Sequence, residues 1–219
     1  MDRRTLIGGG AATTAAAALL AATPGPALAA ALDVVVFGDS YSQVPRAGFP
    51  NWVTQLEQAG RIRVARNFAK SGATAATVGM NHFARQLRLW RAAGRPVGQR
   101  VIVFLGVNDI ENTDALDAGF AGYRRGLAEL KAAGASLLLV EPLDLGLVPR
   151  YAGDADSAAL TSRTLAWNRF VRNRGLAVVR LFDVFQPLLP NAGLFDDDLH
   201  LNREGNAIIA DAVRAKLGA

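Results

Sequence analysis

Leu32-Asp33-Val34-Val35-Val36-Phe37 is a short apolar run rich in β-branched residues and ended by Gly38, and it narrows the possible folds more than any other stretch. A run of this length and type reads as a strand buried on both faces. Val101–Leu105, Ser136–Val140 and Leu176–Phe182 repeat the pattern, while Arg61–Phe68 alternates apolar and polar residues. The alternating segment reads as an edge strand with one wet face. Between these runs the spacing predicts helices from Pro50-Asn51-Trp52 to the stop at Gly60, over Thr77–Ala93, Asp114–Ala133 and Ser157–Asn173, and finally over Arg203–Leu217. Glu141–Asp156 and Phe185–Phe195 read as loops. Strand and helix alternate with no hairpin signal, so the expected class is α/β, a parallel sheet of five strands covered by helices on both faces. The order 2-1-3-4-5 places the first strand inside and the alternating one at an edge.

Composition sets the outer limits. A chain of 219 residues, 51% of them hydrophobic, can bury one full core. Residues 1–29 are set apart as an export signal: Arg3-Arg4 precede a Gly/Ala/Leu run, Pro24 and Pro26 break it, and Ala27-Leu28-Ala29 offers small residues for cleavage. The paired arginines resemble a twin-arginine signal. The mature chain, residues 30–219, is expected to be a single exported domain, monomeric and without stable membrane insertion. The net charge of +5 is scattered among acids and makes no nucleic-acid footprint. With no cysteine there is no disulfide, thiolate zinc site or thiol nucleophile.

In open α/β sheets, ligands bind beyond the carboxyl ends of the strands. The residues expected there are Ser40 after the first strand, Gly72 after the second, Asn108 after the third and Asp197-Asp198-Leu199-His200 after the fifth. A serine hydroxyl needs a base to take its proton, and histidine is the natural one near neutral pH. The histidine in turn needs an acceptor on its other nitrogen to fix tautomer and orientation. Asp197 can turn back onto His200 within one loop, with Asp198 as the alternative. The N–H groups of Ser40 and Gly72 and the side-chain amide of Asn108 can converge as an oxyanion hole. A side chain at position 72 would crowd the approaching carbonyl. A histidine base must be neutral to act, so kcat/KM is expected to rise with pH on an acid limb at roughly pH 6–7.

Together these residues resemble the GDSL family of the SGNH hydrolase superfamily. Its blocks stand here, in order, as Phe37-Gly38-Asp39-Ser40-Tyr41-Ser42, Asn67-Phe68-Ala69-Lys70-Ser71-Gly72-Ala73-Thr74, Leu105-Gly106-Val107-Asn108-Asp109 and Asp197-Asp198-Leu199-His200. The resemblance implies a flavodoxin-like three-layer α/β/α fold and ester hydrolysis without metal or cofactor. By residue it implies Ser40 as nucleophile, His200 as base, Asp197 as its orienter, and Gly72 and Asn108 as oxyanion donors beside Ser40. The family usually reads leucine where Tyr41 stands.

The expected substrate is a small-molecule, lipid or sugar acyl ester. Leu143, Leu145, Leu147 and Val148, with Leu194 and Phe195, are expected to bind its acyl chain, on position alone. The rival readings are a carbohydrate O-deacetylase or acyltransferase of the same superfamily, and a non-catalytic binding module on the same scaffold. A cation held by Asp196, Asp197, Asp198 and His200 is a further rival. Asp39 and Asn67 are expected to tie loops together, and Trp52, Trp90 and Trp167 to lie in the core. His82 is expected to begin a helix, outside the chemistry.

Overall fold

The computed structural model describes residues 31–218 apart from 44–47, 78–79 and 113–115. The expected export signal, with its cleavage site, lies outside the described residues. The chain alternates β1 (Leu32–Gly38), α1 (Trp52–Gln58), β2 (Ile62–Asn67), α2 (Phe83–Ala92), β3 (Arg100–Phe104), α3 (Val107–Glu111), α4 (Leu116–Ala132), β4 (Leu137–Val140), α5 (Ser157–Arg172), β5 (Ala177–Val179), α6 (Leu181–Phe185) and α7 (Arg203–Leu217). The five strands form one sheet in the order β2-β1-β3-β4-β5. Every strand pair is parallel, as the buried runs require. β1 and β3 lie inside and β2 at an edge. The chain runs one way from β1 to β2 and the other way to β3, so the crevice between the ends of β1 and β3 is the switch point where such sheets take ligands.

The core follows from the pattern. Val34 to Phe37 and Val101 to Phe104 have no exposed surface, and Trp52, Trp90 and Trp167 are fully buried, as expected. Each indole N–H that finds a partner closes a strand end or a loop: Trp167 donates to the Leu105 carbonyl at 3.1 Å and Trp90 to that of Pro96 at 2.7 Å. Phe37 packs against Phe68, Phe83 and Trp90, which joins β1 to the helix layer over it.

The elements differ from the sequence expectation by more than a residue or two in a few places. The helix expected from Thr77 begins at Phe83, because residues 74–76 are held as loop. Thr74 pairs with His82, and the Asp109 carboxylate takes the N–H groups of Ala75 and Ala76 at 2.8 and 3.0 Å. The strand expected from Leu176 to Phe182 ends at Val179, and α6 follows at once, with Leu181 and Phe185 buried four residues apart. The stretch after β3, read as a simple cap, is the short helix α3. Its entry needs Gly106: φ is +134°, and a Cβ there would come within 2.3 Å of the Trp167 indole.

Candidate active site

Ser40 sits two residues past the end of β1, in a turn closed by the Asp39 carbonyl, which accepts from Ser42 N and Gln43 N at 3.2 and 3.0 Å. The strand end beneath it is fixed by a side chain doing the work of a neighbouring strand. Gln86 of α2, buried, accepts from Gly38 N at 3.2 Å and donates to Gly38 O at 2.8 Å. Lys70 N donates to the same carbonyl at 3.1 Å. Asn67 ties loops as expected: its amide donates to Ser42 O at 2.8 Å and accepts from Ala69 N at 2.9 Å.

The histidine loop is wound around Asp197. One carboxylate oxygen accepts from Leu199 N at 2.7 Å and from His200 N at 2.5 Å, which turns the chain back on itself. The other oxygen meets His200 Nδ1 at 2.7 Å. His200 Nε2 then lies 3.0 Å from Ser40 Oγ, across 160 residues of sequence. Partial burial works against the Asp197 carboxylate, but the donated backbone and ring N–H groups outweigh it and hold the acid down at about 2. It is therefore a full acceptor at any working pH, and the ring nitrogen facing it is kept as the donor.

Asp198, the alternative orienter, points elsewhere. Arg150 grips it through Nε and Nη2 at 3.1 and 2.7 Å. The acids of this loop thus diverge, and among the described residues no cluster of three or more potential metal ligands forms. His82 is the N-cap of α2, its Nδ1 accepting from Arg85 N at 3.1 Å.

The three expected oxyanion donors come from three elements. Among the described residues, no acceptor is paired with the backbone N–H of Ser40 or of Gly72. Asn108, in the first turn of α3, uses one amide N–H on the Ala73 carbonyl at 3.0 Å. That bond ties the end of β3 to the Gly72 loop and leaves the second N–H available. Glycine at position 72 has a backbone reason, apart from the crowding of a substrate carbonyl. A Cβ there would meet nothing within 4 Å, but φ is +70°, a conformation other residues adopt only under strain.

The expected acyl-binding wall needs correction. Leu143, Leu145 and Val148 have no exposed surface, and Leu194 and Phe195 are buried with them in the core. Leu147 alone of the set is half-buried. The loop after β4 turns inward because a short 3₁₀ turn at Leu145–Leu147 packs on α5, with Asp144 capping it and bonding Thr161 at 2.8 Å. These leucines hold the loop to the core.

Asp39 lies beneath the Ser40 turn with no exposed surface. One oxygen accepts from Tyr41 N at 3.1 Å, and the other is buried without a partner among the described residues. Burial, despite that N–H and with the nearby charges of Asp109 and Glu111 adding to it, pushes the carboxyl up to about 8. The sign follows from linkage. An acid raised on folding costs nothing below its unfolded value of about 4 and a growing amount as pH climbs to 8. Asp39→Asn, which keeps the acceptor for Tyr41 N, is therefore expected to match the native protein near pH 4. It should exceed it in Tm by at least ~2 °C at pH 8. A constant difference across that range in a pH series of thermal melts would contradict the buried-acid account.

Gln86, Tyr41 and Arg150 were not singled out by sequence as parts of the site. Gln86 left no signal, since a glutamine in a helix among arginines reads as a wet face. Tyr41 had one, as the aromatic standing where the motif has leucine.

The comparisons bear on the family and the fold. The family described as GDSL-like Lipase/Acylhydrolase matches residues 36–208. No curated protein matches the chain. Among solved structures, the acetyl xylan esterase AlAXEase is 19% identical with a TM-score of 0.62, over 84% of this chain and 98% of that one. A catalytic mutant of Axe2, an acetylxylan esterase from Geobacillus stearothermophilus, is 18% identical with a TM-score of 0.64, over 86% of this chain and 94% of that one. The psychrotrophic esterase EstA from Pseudoalteromonas sp. is 18% identical with a TM-score of 0.60, over 85% of this chain and 97% of that one. Motif blocks, sheet order and family match coincide over the same residues, and the chain belongs to the GDSL-like lipase/acylhydrolase family.

Proposed function

We propose that this protein is a serine carboxylic ester hydrolase that works through an acyl-enzyme on Ser40. The observation that carries this is the unbroken line from Asp197 Oδ2 to His200 Nδ1 at 2.7 Å and from His200 Nε2 to Ser40 Oγ at 3.0 Å. Both spans fall within the reach a general base needs. Ser40 Oγ attacks the ester carbonyl while Nε2 takes its proton. The oxyanion that forms is met by the N–H groups of Ser40 and Gly72 and the free amide N–H of Asn108. Collapse expels the alcohol, which leaves with the proton from Nε2. Water then gives a proton to His200, attacks the acyl carbon and releases the acid, restoring Ser40. Asp197 remains a carboxylate throughout, holding the imidazolium in place.

The acyl group it accepts is short. Leu143, Leu145 and Val148 of the loop after β4 are committed to the core, which leaves only Leu147 of that set as apolar surface for a long chain. The same feature favours the deacetylase reading over a lipase, and acetyl xylan esterases stand among its structural neighbours. The test is an acyl-length series of p-nitrophenyl esters beside labelling with a fluorophosphonate. Acetate should be hydrolysed with the highest kcat/KM, falling at least ~10-fold by octanoate, roughly the discrimination of one or two methylenes in a tight site. The label should map to Ser40. A chain neither labelled nor active on any ester is a binding module, and an octanoate preference removes the short-acyl reading.

A further inference from the structure

The two loops that must meet for chemistry come from opposite ends of the chain, and one bond between Ser40 and His200 is a slender way to hold them. A second bond runs beside it. Tyr41, next to Ser40, donates its phenol O–H to the carbonyl of Leu199, next to His200, at 2.7 Å. Both residues are at least nine-tenths buried. The Tyr41 ring also lies 5.9 Å from the imidazole, tilted by 43°, and 5.7 Å from Phe104 of β3. We propose that Tyr41 is a positioning residue, whose hydrogen bond to Leu199 locks the base loop to the nucleophile turn and keeps Nε2 of His200 in line with Ser40 Oγ. The proposal rests on the serine-hydrolase reading of this site.

The alternatives for this job are weaker. Asp197 winds the base loop internally but does not attach it to anything else. Arg150 does attach it: its backbone N–H donates to Asp198 O at 2.8 Å and its side chain grips the Asp198 carboxylate. That guanidinium is more than a third exposed, and exposed ion pairs contribute little and are screened by salt. The Tyr41 bond is shielded from water, so no solvent molecule stands ready to replace it. Burial first, then the charges of Asp39, Glu111 and Asp197 against that of Arg150, push the phenol well above its ordinary value. It stays a donor at any pH at which the enzyme works. Leucine at this position would leave the Leu199 carbonyl buried and unpartnered.

The consequence is kinetic. A reacting pair displaced by about 1 Å can lose about 10²-fold in rate. Tyr41→Phe keeps the ring and removes one oxygen. With p-nitrophenyl acetate, and with active sites counted by fluorophosphonate, kcat per site is expected to fall ~10-fold or more while KM changes less than twofold. 4-Aminophenylalanine at position 41 retains a donor at the same place and should restore most of the rate. A role in folding alone would lower Tm and the fraction of sites labelled but leave kcat per labelled site unchanged, and that result overturns the proposal. If Tyr41→Phe does not fold, the folded aminophenylalanine protein decides, since a loss of ~10-fold there shows that the donor does not set the rate. Failure of the native protein to be labelled at Ser40 removes the hydrolase reading itself, which separates the two.

Discussion

Replacing His200 with alanine is expected to lower kcat by about 10⁴-fold or more, the scale on which triad members act as a unit. Among the described residues, His200 is the one side chain paired with Ser40 Oγ. His82 is the only other histidine of the chain, and its Nδ1 is spent on capping α2. Asp197 is badly placed to substitute, because the imidazole stands between it and Ser40 in the native site and one of its oxygens is occupied by two backbone N–H groups. The change should be nearly silent in stability. The His200 side chain is 36% exposed, and the turn that carries it is wound by main-chain donors to Asp197 which alanine retains. Turnover of p-nitrophenyl acetate, measured beside a thermal melt, checks both halves. Activity within 100-fold of the native enzyme would show that another group serves as base. A collapse in Tm would show that the ring matters for folding.

The parts of the structure that sequence made legible are those where a residue's role is set by its own chemistry and its immediate neighbours. β1 and β3 announce themselves because a strand buried on both faces must be apolar at every position, and the sheet order followed from which segment alternated. That Ser40, Asp197 and His200 would meet was legible because four short blocks stand in a fixed order. What escaped depends on partners distant in sequence. The start of α2 was misplaced because Asp109, 34 residues on, captures the Ala75 N–H. Leu143, Leu145 and Val148 looked like a substrate wall because a leucine carries no sign of which way it will face. Gln86 shows the same limit from the polar side. Its two bonds to Gly38 replace part of a strand ladder, and only the fold brings them together.

Asn108→Ala should be the next most damaging change, with kcat reduced 10²- to 10³-fold, about 2.7–4 kcal/mol of lost transition-state stabilisation. The argument turns on the two N–H groups of one amide. One is committed to the Ala73 carbonyl at 3.0 Å and fixes the side chain; the other has no partner among the described residues. A donor held in advance costs nothing to reorganise when charge develops on the substrate oxygen, so its loss should fall on kcat and spare KM. Alanine also strips the buried Ala73 carbonyl of its partner, which should cost about 1–3 kcal/mol of stability. The two effects separate at a temperature well below both melting points, with rates expressed per fluorophosphonate-titrated site. Asn108→Asp sharpens the test. It keeps the size of the side chain, offers no N–H when ionised and sets a negative charge where the oxyanion forms, so its kcat should fall below that of alanine. An aspartate variant as active as native would mean that the Ser40 and Gly72 N–H groups alone carry the oxyanion and that Asn108 serves only to hold the Gly72 loop.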